Sequence, residues 1–390
     1  MKAINPFLAA TMIVLCAAIP AMAEEMIKIG VVTPLTGTYA PIGQQVRWGM
    51  ELATKEVNQS GGVLGRQIQL LFEDEEASPA VAVQRAERLF EVEHVDFLTG
   101  TVNSGSTLAV GQLAERVGRL MATTVSFADS ITADQCSPNV FRVNARASQQ
   151  SAALAAWVSG QKPNPRVFYL GPDYEMGRST VAAFAARMKD LGAQDGGELF
   201  APLGSQDYTP YFGQIRAARA DVLYTSVAGN DSVRLLTQMQ EFGLLTNMLV
   251  VGASGTVTSQ NIKAIGDAAN GFGTGVGYTP AIDTPENKDF VQHFQTSYQT
   301  DPDLYGADSY GVIYFFKAAA EKAGSTDTAA LREAMRGLRW MTPQGEKLMR
   351  AGDHQAEQPI YVVRIDGGAF DIVGKVDGGT ALGADLCTRF

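Results

Sequence analysis

Ile27-Lys28-Ile29-Gly30-Val31-Val32, then an amphipathic stretch from Pro41 to Asn58 that closes on Gly61-Gly62, is the succession that decides the fold. A short β-branched run reads as a strand covered on both faces, and apolar residues returning at helical spacing after it read as the covering helix. The unit then repeats. Strands are expected at 67–72, 95–99 and 119–123, with helices at 79–91 and 106–117 between them. Strands alternating with helices of this length build a parallel sheet wound with helices on both faces.

A second series of the same kind begins near Gln149. It predicts helices at 149–158, 178–191, 208–218 and 232–242, and strands at 166–170, near Glu198, at 221–226 and at 248–251. Helices at 286–300 and 305–322 have broad apolar faces with few strands beside them, so they are expected to return and cover the first sheet. The last strands, 360–365 and 370–376, have no helix between them and read as an antiparallel pair. The expected fold class is α/β, with two doubly wound parallel-sheet lobes joined by a multi-strand hinge. Residues 24–145 and 277–355 are assigned to lobe 1, 146–276 and 356–376 to lobe 2, and 377–390 to a C-terminal tail returning to lobe 1. A hinge crossed more than once, between two α/β lobes, makes a closing cleft.

The N-terminus has Lys2, an apolar run from Phe7 to Ile19, and Ala21-Met22-Ala23 before Glu24 and Glu25. That order is a Sec-type signal peptide, residues 1–23, cleaved after Ala23 and directing the chain to the periplasm. About 365 residues remain, more than one hydrophobic core usually serves. No second apolar run reaches spanning length, so the mature chain is expected to be soluble and not membrane-embedded. A net charge of −10 without a basic block argues against nucleic acid. Of the three cysteines, Cys16 leaves with the signal. Cys136 and Cys387 remain in a compartment that permits disulfides, where a bridge would tether the tail to the first half of the chain; two separate thiols are the alternative.

Motifs for catalysis or cofactors are not found. His94, His293 and His354 are scattered without metal-ligand spacing, and read as surface or packing residues. Gly271, Gly273, Gly275 and Gly277 lack the dinucleotide fingerprint and read as a flexible crossover. Gly252-Ala253-Ser254-Gly255 misses the nucleophile-elbow spacing. The acidic run Glu73-Asp74-Glu75-Glu76 lacks the alternation of a calcium loop and reads as a solvated rim. No enzyme, no cofactor and no metal are expected.

What the chain offers instead is hydroxyls and glycines at strand ends. Thr99 to Thr107 ends a strand and opens a helix, which places its N–H groups and hydroxyls in the crevice where α/β sheets bind ligands, in a field that favours anions. Ordinary helix capping by Ser104 or Ser106 is the plainer reading of the same residues.

Through these residues the chain resembles the periplasmic solute-binding proteins of ABC importers, of the leucine/isoleucine/valine type. The resemblance rests on Ile29 to Gly37, Gly61-Gly62-Val63-Leu64-Gly65, the Gly100 to Thr107 loop, Asp173-Tyr174-Glu175-Met176-Gly177, Gly204 to Tyr211 and Glu241-Phe242-Gly243-Leu244, in that order over the whole mature chain. It implies the type I periplasmic binding fold. It also implies that Ser104, with Ser106 and Thr107 beside it, gives a hydroxyl to a ligand carboxylate, and that Val125, Ser126 and Phe127 supply further contacts. The second lobe should contribute an aromatic, where Met176 holds the strict position and Tyr174 stands as the substitute. Tyr39, Ile42, Asn230 and Tyr278 complete the candidate set.

Two departures matter. Ser254 stands where amino-acid binders carry the acid that holds the ligand ammonium; unless Asp231 or Glu175 substitutes, the ligand lacks a charged amine, because an unpaired buried ammonium is costly. Phe127 replaces a small polar residue and suits stacking on a flat ligand. Together with 129–142 and the ending from 353 to Cys387, these resemble the branch that takes up aromatic carboxylates. The implied role is an extracytoplasmic component, working as a monomer, that closes on a small carboxylate, an aromatic acid first, and delivers it to a membrane permease. A hydrophobic amino acid as ligand, or a sensing role, are the alternatives.

Overall fold

Ile27, Ile29, Val31 and Val32 are wholly buried, as a strand covered on both faces must be. They belong to β1 (Ile27–Thr33), which pairs in parallel with β2 (Ile68–Asp74) and β3 (Phe97–Gly100). With β4 (Met121–Thr123) and β5 (Val140–Arg142) the sheet runs β2-β1-β3-β4-β5. Helices α1 (Ala40–Gln59), α2 (Pro79–Glu91) and α3 (Ser104–Arg116) wind through it. The computed structural model describes Met1 and residues 26–390 apart from Asn247; the expected signal peptide lies outside the described residues.

The second winding has α4 (Ala147–Gln161), β6 (Arg166–Pro172), α5 (Glu175–Asp190), β7 (Gln194–Ala201), α6 (Thr209–Ala218), β8 (Val222–Thr225), α7 (Asn230–Glu241), β9 (Leu249–Gly252), α8 (Ile262–Ile265) and β10 (Gly273–Val276). The chain then returns through α9 (Pro285–Tyr298) and α10 (Leu304–Ala323), which pack with α1 in one apolar core, as their apolar faces require. After α11 (Thr328–Met335) come β11 (Arg339–Thr342), β12 (Gly345–Met349) and β13 (Ala356–Glu357), a small antiparallel sheet of their own. The antiparallel pair β14 (Ile360–Asp366) and β15 (Ala369–Val376) extends the second sheet, whose order is β15-β14-β10-β9-β8-β6-β7. Helix α12 (Gly378–Leu382) follows. Among the described residues no helix is long and apolar enough to cross a membrane.

The reading of Gly271 to Gly277 as a flexible crossover is corrected: β10 is an inner strand of the second sheet, buried throughout. Its glycines are set by proximity. A Cβ on Gly275 would lie 2.5 Å from the Gln150 carbonyl oxygen, and one on Gly273 would lie 2.8 Å from the Trp157 ring. Residues two apart share a strand face, so α4 can lie on this strand only where that face carries no side chains.

Three segments connect the sheets: 143–146, 277–284 and 358–359. Buried polar groups tie them to their surroundings. Gln355 donates to the Asn144 carbonyl at 2.8 Å and accepts from Arg142 Nε at 2.6 Å, while Lys347 Nζ donates to the Val143 carbonyl at 3.0 Å. The tail is fastened here as well. Arg146 donates to the Leu382 carbonyl at 2.8 Å, Cys136 and Cys387 form a disulfide, and Arg389 donates to the Cys136 carbonyl at 2.8 Å. Reduction, or a Cys136→Ser/Cys387→Ser variant, is expected to lower stability by about 2–4 kcal/mol. Calorimetry with and without reductant checks this; an unchanged melting temperature would contradict it.

Candidate ligand-binding cleft

Parallel strands end together, and the loops beyond those ends define the crevice between the lobes. In the first lobe the loop after β3 turns through two left-handed residues, Gly100 at φ 99° and Thr101 at φ 53°. Glycine is required at the first, because a Cβ there would lie 2.4 Å from the Val32 carbonyl oxygen. Asn103 then caps α3, its Oδ1 accepting from the N–H groups of Gly105 at 2.8 Å and Ser106 at 3.2 Å. Capping thus falls to Asn103 and not to Ser104 or Ser106.

The hydroxyls of the loop divide into two groups. Thr107 and Ser126 are hydrogen-bonded to each other; Thr107 also donates to Thr101, and Ser126 lies 3.1 Å from the Thr101 carbonyl. Both are fully engaged in shaping the loop. Ser104 Oγ accepts from Ala128 N–H at 3.3 Å and so keeps its own proton to donate, and Ser106 Oγ is buried beside the Glu75 carboxyl.

Glu75 corrects the reading of residues 73–76 as a solvated rim. Glu73 pairs with Arg88 and Arg85, and Asp74 accepts from Leu35 N–H and the Thr36 hydroxyl, but Glu75 is 0 % exposed. Its Oε1 accepts from Val102 N–H at 2.7 Å and Asn103 N–H at 3.2 Å. Burial pushes its carboxyl up to about 7, against the lowering effect of those N–H groups and of the nearby Ser106 hydroxyl.

The aromatic side of the cleft comes from both lobes. Phe127 is buried and lies 6.2 Å, centroid to centroid, from Tyr305, which sequence reasoning placed only at the start of a covering helix. Tyr305 reaches the second lobe, for a Cβ on Gly255 would lie 2.1 Å from its hydroxyl. Val125, Ile42, Met176 and Ala228 join the same apolar cluster. Tyr39 and Tyr174 meet across the lobes, hydroxyl to hydroxyl at 2.8 Å. Asn230 N–H donates to the Thr38 carbonyl at 3.3 Å, and Ser130 donates to Glu175 Oε1 at 2.8 Å. The lobes are closed on each other. Asn230 thus contributes its backbone, while its side chain is exposed.

Neither acid considered as a substitute for the one missing at Ser254 is free. Asp231 accepts from Gly204 N–H at 2.7 Å and pairs with Arg234, and Glu175 holds Ser130. Ser254 Oγ, Tyr278 Oη and Asp303 Oδ2 are buried without hydrogen-bond partners among the described residues, and their residues line one cavity of about 20 Å³. That is the room of a water molecule and too small for a solute. Burial pushes the Asp303 carboxyl up to about 7. No group of three or more His, Cys, Asp or Glu among the described residues could hold a metal.

Two wound lobes joined by three crossings, closed over hydroxyls on one side and aromatics on both, define a clamp for a small solute. Sequence comparison agrees: the profile of the family described as periplasmic binding protein matches residues 26–369, and the chain belongs to that family. A Leu/Ile/Val-binding protein homolog from Brucella melitensis is 28% identical over 78% of this chain and 81% of its own. The solute-binding protein of an ABC transporter from Rhodopseudomonas palustris BisB5, solved with 3,4-dihydroxybenzoic acid, is 25% identical, with a TM-score of 0.85 over 91% of this chain and 98% of that one. An amino-acid ABC transporter substrate-binding protein from Pseudomonas fluorescens Pf-5 is 26% identical, with a TM-score of 0.83 over 94% and 100%. As a member of the periplasmic binding proteins the chain is a ligand carrier rather than an enzyme.

Proposed function

We propose that the chain captures a small carboxylate, an aromatic acid in first place, and presents it to the permease of an ABC importer. The observation that carries this reading is the pairing of an aromatic wall, Phe127 against Tyr305, with the donor hydroxyls of Ser104 and Ser106 on the adjoining loop. A flat ring stacks on the first and a carboxylate accepts from the second. The dihydroxybenzoate held by the Rhodopseudomonas relative supports the choice. Thr107 and Ser126 act through the loop they brace. On this reading residues 1–23 are removed on export, the lobes divide as the sequence predicts, and the mature chain works as a monomer.

A hydrophobic amino acid is the second reading. It is favoured by the free Oδ2 of Asp303 beside Ser254, a place for an ammonium, and by the Leu/Ile/Val-binding relatives. A thermal-shift screen of the mature chain separates the two, since a true ligand raises the melting temperature by mass action. Benzoates are expected to stabilise it, and Ser104→Ala to weaken their binding about 10- to 100-fold, the effect of one hydrogen bond to a charged group. Stabilisation by α-amino acids alone would reject the first reading.

A further inference from the structure

Glu75 keeps one oxygen off the backbone. Oε1 takes the two backbone N–H groups, while the buried Oε2 is left with the neighbouring Ser106 hydroxyl, which makes no other hydrogen bond among the described residues. The chain turns sharply straight after it, with Glu76 at φ 51° and Ala77 at φ 53°. Two successive non-glycine residues in the left-handed region persist only where the surroundings hold them. The turn sends Asp74 outward, to Leu35, Thr36 and the Glu76 N–H, and leaves Glu75 inward against the loop of Ser104 and Ser106. The loop it braces is the one that brings Ser104 and Ser106 to the strand-end crevice, and Tyr174 of the other lobe is near enough to feel its charge.

We propose that Glu75 is a ligand contact that works as an acid: in its protonated form it donates through Oε2 to the bound carboxylate, so that capture takes up a proton. The inference rests on the carboxylate reading above. Two carboxylates at one site cannot both stay ionised without strong repulsion; sharing one proton turns the repulsion into a hydrogen bond. The groups that face Glu75 leave its charge uncompensated. Asp74 repels it, the start of α3 and Ser106 favour its anion, and Tyr174 across the cleft is a neutral phenol, held so by burial. Burial outweighs the rest and brings the free carboxyl to about 7, within reach of protonation at neutral pH. A bound anion favours the protonated form further. The sign follows: affinity is full below about pH 7 and falls by up to about tenfold per pH unit above it.

Titration calorimetry with benzoate from about pH 6 to pH 9, in two buffers of different ionisation enthalpy, tests this directly. The wild type is expected to lose affinity with rising pH and to take up a proton per ligand in the alkaline half. Glu75→Gln keeps the acceptor for Val102 and Asn103 and supplies a permanent donor, so its affinity is expected to be flat with pH and tighter than wild type at the alkaline end. A flat wild-type profile without proton uptake overturns the proposal, and so does an equal slope in Glu75→Gln. Proton uptake is read on the wild type alone, so the test survives a variant that fails to fold. If neither benzoate nor 4-hydroxybenzoate binds at any pH, the carboxylate reading itself falls. If leucine binds instead, tightens as pH rises and is lost in Glu75→Gln, Glu75 is an ammonium acceptor and the acid role is overturned.

Discussion

Asp308→Ala is expected to destabilise the protein by about 3–5 kcal/mol, the cost of stranding a buried cation. Lys347 and Asp308 are 1 % and 2 % exposed, and Lys347 Nζ donates to Asp308 Oδ1 at 2.5 Å and to the Val143 carbonyl at 3.0 Å. Gln344 gives Asp308 a second donor at 2.8 Å. Burial pulls the Lys347 ammonium down and pushes the Asp308 carboxyl up, so each stays charged only because the other is there. Val143 lies in the first crossing between the sheets, so the pair fixes the hinge strand as well as itself. An Asp308→Leu/Lys347→Met double variant removes both charges and keeps the volume, and is expected near wild-type stability. Urea unfolding at neutral pH measures all three chains. A double variant as unstable as the single one would show that packing, not the stranded charge, sets the cost.

Gly49→Ala is expected to cost at least about 3 kcal/mol, against the usual gain from replacing a helical glycine. Gly49 is inside α1 where that helix crosses α10, and a Cβ there would lie 2.1 Å from the Gly306 carbonyl oxygen. Backbone cannot move aside as a side chain can, so the helices must part and loosen the core between them. Gly160→Ala, inside α4 with nothing within 4 Å of the added methyl, is the control and is expected to be neutral or stabilising by up to about 1 kcal/mol. Equal melting temperatures for the two variants would contradict the argument.

The parallel sheets were legible because β-branched strands and amphipathic helices alternate strongly from Ile27 to Val251. The returning helices were legible from apolar faces that no neighbouring strand could cover. Legibility failed where tertiary contact overrides local pattern. β10 was missed because its glycines answer to α4, far off in sequence. The strands β11 and β12 were missed because Arg339-Trp340-Met341-Thr342 and Gly345-Glu346-Lys347-Leu348-Met349 carry no apolar run. In the cleft, Ser104 and Phe127 were singled out through the resemblance. Glu75 was hidden because a row of acids gives no sign of which one turns inward, and Tyr305 because a helix-initial aromatic reads as core.

The return of α9 and α10 onto α1 bears on the order in which the molecule can become stable as it emerges from its N-terminus. Gln45 in α1 finds its hydrogen-bond partner at the Asp301 carbonyl, 256 residues later, and Tyr310 reaches back to Glu56 across 254. The first sheet to be synthesised therefore has one face only partly covered, by α1, until most of the chain is out. The strands β6 to β10 come from one continuous stretch and can assemble sooner. The N-terminal sheet is thus fully covered only after the strands β6 to β10 have emerged, and the disulfide through Cys387 can close only after that.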